Sequence, residues 1–101
     1  MHSTLDAANF TYQVKDSQIT TEDLLRYYER NRERIPYYHM KTARQRKEAA
    51  PYLENDGDFT LARLLNAFDK QMMVCLELPP QQNLEDVYAN VEQSIKLLDT
   101  L

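Results

Sequence analysis

A chain of 101 residues with 43% hydrophobic and 28% charged side chains has the length of one domain, and its single glycine suits a charged helical protein better than a turn-rich sheet fold. Its net charge of −4 excludes a protein that binds nucleic acid or anionic lipid through its whole surface, so any such role must be local. One cysteine, Cys75, rules out an internal disulfide and favours a reducing compartment, the cytoplasm; no window approaches the roughly 18 apolar residues of a membrane span, and the first residues lack the pattern of a secretory leader.

Residues 1–9 are polar apart from Leu5 and two alanines, and read as a loose tail in front of a single helical domain over 10–101. Phe10, Tyr12 and Val14 alternate with polar residues, the period of a strand or of an extended arm laid on helices. Thr20-Thr21-Glu22-Asp23 then marks a helix start, because a threonine can accept from a first-turn amide and the acids favour the positive end of the helix. This first helix is predicted from about Thr21 to Arg34, with Leu24, Leu25, Tyr28 and Ile35 on one face, and it stops before Pro36.

Pro36 fits the first position of a second helix, predicted to run to about Ala50 with a thin stripe of Tyr37, Met40, Ala43 and Ala50. Glu54-Asn55-Asp56-Gly57 is a turn in which the glycine is expected to supply a positive φ, followed by Asp58 or Thr60 as the cap of a third helix. Leu61, Leu64, Leu65, Phe68, Met72 and Leu76 recur at helical spacing, which predicts that the third helix reaches Leu78. From Met72 to Leu76, however, the chain is apolar all round, the alternative being a short strand at 73–78 paired with 10–14 in an α+β fold. Pro79-Pro80 enforces a stop, and Asn83 with Asp86 resembles a capping box for a fourth helix striped by Leu84, Val87, Tyr88, Val91, Ile95 and Leu98. The preferred fold class is therefore all-α, a small bundle of about four helices with an N-terminal extended arm.

Two surfaces stand out as candidate sites. Segment 26–47 holds eight of the twelve basic residues against Glu29 and Glu33, a local charge of +6 that leaves −10 for the rest. Its basic face, Arg26, Arg30, Arg34, Lys41, Arg44, Arg46 and Lys47, is interleaved with Tyr27, Tyr28, Tyr37 and Tyr38 and has the ingredients of phosphate contact and base stacking; it equally suits docking on an acidic protein, or a solvated face of internal ion pairs. The match to a helix-turn-helix is weak, for no small-residue turn separates the first two helices. The second surface is apolar. Met72, Met73, Leu76, Val91 and Ile95 exceed what so small a domain can cover and are expected to form a partner interface.

Catalytic and ligand-binding patterns are scarce. Aligning Gly57 with the invariant glycine of a calcium-binding EF-hand loop puts Tyr52 and Arg63 where carboxylates are required. His39 has no cysteine or second histidine at ligand spacing, Cys75 lies in an apolar run that favours an inert thiol, and one glycine cannot build a phosphate loop or a nucleophile elbow. The reading is a non-enzymatic protein-interaction or regulatory module without cofactor, metal or membrane partner, acting through a helical interface as a homo-oligomer or partner complex. Nucleic-acid binding through 26–47 is the alternative.

Overall fold

A computed structural model describes residues 3–7, 19–44 and 48–101. Three strands form a parallel sheet in the order β1-β2-β5, built from β1 (Thr4–Asp6), β2 (Tyr37–Met40) and β5 (Met73–Leu76). Helix α1 (Thr21–Asn31), extended by a 3-10 turn (Arg32–Arg34), lies between β1 and β2 in the chain. A short antiparallel pair, β3 (Ala43–Arg44) with β4 (Glu48–Ala49), and helix α2 (Leu61–Ala67) lie between β2 and β5, and helix α3 (Leu84–Leu98) ends the chain. The architecture is α+β, which overturns the expected all-α bundle of about four helices.

The physical reasons for the correction are local. Pro36 is placed as the sequence suggests, after a helix, but its fixed φ and missing amide serve equally well ahead of a strand, and its carbonyl accepts from the Met73 amide at 2.9 Å. Tyr37 and Tyr38 are strand formers, and they begin β2 where a second helix was expected over 36–50. The third helix stops at Ala67 instead of reaching Leu78. Phe68 takes an extended conformation (φ −72°, ψ 148°) while its amide still donates to the Leu64 carbonyl. Its ring thereby enters the core, with centroids 4.9 Å from Tyr28 and 4.8 Å from Tyr38. The run after it becomes a strand, bounded by the Asp69–Met72 turn and Pro79-Pro80. That strand pairs with β2, Tyr37 opposite Met73 through Met40 opposite Leu76, while 10–14, its expected partner in the α+β alternative, lies outside the described residues. Thr4–Asp6, read as part of a loose tail, pairs with Tyr37–His39, and Leu5 is fully buried.

Strand alternation divides the sheet into two faces. Leu5, Tyr38 and Met40 share one, and meet Leu24 and Tyr28 of α1 and Leu61 and Leu64 of α2 in a single core cluster. Burial pushes the Tyr38 phenol far above its ordinary value, so it stays neutral. The opposite face carries Thr4, Asp6, Tyr37, His39, Met73 and Cys75, with Tyr37, Met73 and Cys75 exposed.

The turn ahead of α2 is tied to the β3–β4 hairpin. Thr42 Oγ1 accepts from the Glu54 amide at 2.8 Å and donates to the Glu54 carbonyl at 3.1 Å. A side chain on Gly57 would place its Cβ 2.4 Å from Thr42 Cγ2 and 2.8 Å from the Ala43 carbonyl oxygen. Glycine is thus required here for close approach; its φ lies outside the left-handed region expected for the turn. Thr60 is the N-cap residue of α2, one of the two expected, but its side chain makes no capping bond; Asn55 instead accepts from Leu61 N through its carbonyl and from Ala62 N through its side chain, both at 2.9 Å.

Candidate functional site

All three parallel strands end at the same edge, and each delivers a polar residue there. Asp6 closes β1, His39 and Lys41 come from the end of β2 and the residue after it, and Glu77 follows β5. The four share one parity and hence one face. Lys41 Nζ lies 3.0 Å from Asp6 Oδ2 and 3.0 Å from Glu77 Oε1, while His39 Nδ1 lies 2.6 Å from Glu77 Oε2 and 4.0 Å from Asp6 Oδ2. Asp6 and the Lys41 side chain are nearly enclosed; His39 and Glu77 are half exposed.

The electrostatics follow from that enclosure. Burial alone would push the Lys41 ammonium down, but hydrogen bonds to Glu77 and Asp6 outweigh it and hold the group above its ordinary value. Lys41 is therefore a permanent ammonium at neutral pH and offers no amine nucleophile. The same hydrogen bond, with the charges of Lys41 and His39, holds the Glu77 carboxyl below its ordinary range. Two carboxylates thus converge on one ammonium, and the His39 imidazole meets the same two carboxylates. The carboxyl edge of a parallel sheet is where open α/β folds place ligands, although here the strand order runs in one direction and makes no switch-point crevice.

The sequence gives little sign of this cluster. Only His39 and Lys41 are neighbours in the chain; Asp6 and Glu77 are 71 positions apart by number and meet through strand pairing alone. An alternating pattern over Tyr37 to Lys41 is the one signal that could have placed His39 and Lys41 on a common strand face.

The expected basic face is divided among different elements. Lys41 is enclosed by the cluster, Arg26 pairs with Asp23 at 3.4 Å, and Arg44 Nε pairs with Glu54 at 2.5 Å with its guanidinium over Tyr52. Arg30 and Arg34 are exposed on α1 and the 3-10 turn, and Arg46 and Lys47 lie outside the described residues. Of the expected interface residues, Met72 and Leu76 pack against the core, Met73 and Ile95 are exposed, and Val91 lines an apolar groove of about 200 Å³ with Leu76, Leu78 and Pro79.

Fold and cluster together define a small α+β domain whose parallel sheet carries a lysine-centred ionic cluster at its carboxyl edge. Comparison with known proteins gives no matching family model, no matching curated relative and no matching solved structure. Among the described residues, no helix is long and apolar enough to cross a membrane.

Proposed function

We propose that the protein works by binding rather than catalysis, as a module that assembles with a second copy of itself through the outer edge of β5 in a reducing compartment such as the cytoplasm. The observation that carries this reading is the composition of that edge. Met73, Val74 and Cys75 are exposed, Leu76 is half-buried, and no charge or proline guards the strand. Monomeric proteins protect their edge strands with charges, bulges or covering segments, because an open apolar edge recruits another strand.

The backbone is suitably placed. Met73 N and Glu77 N donate inward to β2, at 2.9 Å and 3.0 Å, so the ladder turns the amides of Val74 and Leu76 outward. Antiparallel pairing about a two-fold axis at Cys75 sets Val74 opposite Leu76 of the second copy, closes both pairs of bonds, and joins two three-stranded sheets into one. Helix α3 sets Val87 and Val91 against Leu76, Leu78 and Pro79 after β5, and its exposed Leu84, Tyr88 and Ile95 supply further apolar surface.

Size-exclusion chromatography with light scattering tests the reading. The wild type is expected to run as a dimer at micromolar concentration. Val74→Pro is expected to run as a monomer with an unchanged circular dichroism spectrum, because it removes an outward amide and none of the inner ladder. A monomeric wild type, or a Val74→Pro protein that remains dimeric, overturns it. Should the monomer instead shift nucleic acid at low salt, in a manner abolished by Arg30→Glu with Arg34→Glu, segment 26–47 is the working surface.

A further inference from the structure

We propose that Asp6, His39 and Glu77 form a binding site for a divalent cation of the zinc class, in which the Lys41 ammonium is the competing resident cation. This site lies at the carboxyl edge of the sheet and does not depend on the β5 pairing.

The donor set selects the class of ion. One imidazole with two carboxylates, and a fourth position open to solvent, is a three-ligand arrangement that suits zinc. Calcium requires six to eight oxygen ligands and magnesium a near-ideal octahedron, neither of which the described residues at this edge supply. An imidazole among the donors shifts preference further toward transition metals.

The geometry is close to what such an ion needs. One ligand atom from each of Asp6, His39 and Glu77 lies within 4.8 Å of the other two. Zinc bonded tetrahedrally at about 2.0–2.1 Å holds its ligand atoms on the order of 3.3 Å apart. The 2.6 Å and 4.0 Å separations from His39 Nδ1 to Glu77 and to Asp6 straddle that value. His39 and Glu77 are half exposed and can adjust by side-chain rotation, while Asp6 is held on the buried end of β1.

Charge supplies the driving force and also the competitor. The two carboxylates, Asp6 and Glu77, carry one more charge than the Lys41 ammonium that bridges them. A divalent ion entering the site repels the Lys41 ammonium, whose four-carbon stem can swing the charge toward solvent. The competition has a consequence that a mere salt-bridge network lacks: removing Lys41 strengthens binding.

Isothermal titration calorimetry of the full chain with zinc chloride reads this out. Lys41→Met is expected to take up one zinc per chain, on the order of 10-fold tighter than the wild type, with a rise in melting temperature on zinc addition. His39→Gln and Glu77→Gln, substitutions at half-exposed side chains, are each expected to weaken wild-type binding on the order of 10-fold or more, while Cys75→Ser leaves it unchanged. Zinc affinity no higher in Lys41→Met than in the wild type overturns the proposal. So does wild-type affinity that His39→Gln and Glu77→Gln both leave unchanged, and these two variants carry the test if Lys41→Met does not fold.

Discussion

Helices α1 and α3 carry the same signatures in the sequence and have opposite fates in the fold. Each begins at a capping residue with an aspartate three positions on: Thr20 with Asp23, and Asn83 with Asp86, whose amides donate to the capping side chains at 3.2 Å and 2.9 Å. Each has an apolar stripe. In α1 the stripe is core, with Leu24 1% and Tyr28 1% exposed, whereas in α3 Leu84 is 60% and Tyr88 63% exposed and the one fully buried side chain is Ser94. Periodicity reports which face of a helix is apolar; whether a surface exists to receive that face is decided by the rest of the chain.

The difference predicts a large asymmetry in stability. Leu24→Ala opens a cavity among Tyr28, Tyr38 and Leu64 and is expected to cost about 3 kcal/mol, while Leu84→Ala is expected to change global stability by less than about 0.5 kcal/mol. Urea unfolding of the two variants checks this. Comparable losses at both positions would mean that Leu84 is covered in solution, and would break the contrast.

A polar anchor ties α3 down where apolar packing is thin. Ser94 Oγ accepts from the Leu53 amide at 2.9 Å and donates to the Asn90 carbonyl at 2.8 Å, fully enclosed. Ser94→Ala leaves a buried amide without its acceptor and is expected to cost about 1.5 kcal/mol, more than any single apolar truncation on the outer stripe of α3. Ser94→Cys, a weaker acceptor of similar size, is expected to fall between; urea midpoints give the order.

Both helices with clean caps, α1 and α3, were legible in the sequence to within a few residues, as was the turn at Glu54–Gly57. Legibility failed where one pattern serves two structures. Leu61 to Leu76 at helical spacing is one apolar face if the helix continues, but Phe68 leaves the helix to fill the gap between Tyr28 and Tyr38, and the residues beyond it join β2. Tertiary pairing decided that segment, and propensity could not. Tyr37 to Met40 failed likewise, since proline before a helix and proline before a strand look the same in one sequence. The cluster at the sheet edge depended on knowing that β1, β2 and β5 are parallel and in register, a fact about residues more than thirty positions apart. The exposed apolar residues Met73 and Ile95 were visible as an excess over what so small a core holds, even though the helix assigned to Met73 was wrong.

The caps themselves give the finest test of the contrast between α1 and α3. Thr20→Ala and Asn83→Ala each remove one acceptor from a first-turn amide, and each is expected to weaken its helix by about 1 kcal/mol. In α1, whose apolar face is buried in the core, that loss must appear in global unfolding, because the helix cannot fray without opening Leu24 and Tyr28. In α3, whose first turns are exposed, it is expected to appear as faster amide hydrogen exchange over Glu85–Tyr88 with little change in the global midpoint. Acid discriminates further. A bond from the Thr20 amide and, second, one with the Thr20 hydroxyl hold the Asp23 carboxyl below its ordinary value of 3.8; the stabilisation they provide is present above about that pH and lost as pH falls through the lower folded value, and Thr20→Ala keeps the amide's share but removes the hydroxyl's. The gap between wild type and Thr20→Ala is therefore expected to be full at neutral pH and to narrow in strong acid. A gap that stays constant down to pH values below the folded pKa would mean that the threonine hydroxyl acts alone, without its aspartate, and that the two caps are less alike than their sequences suggest.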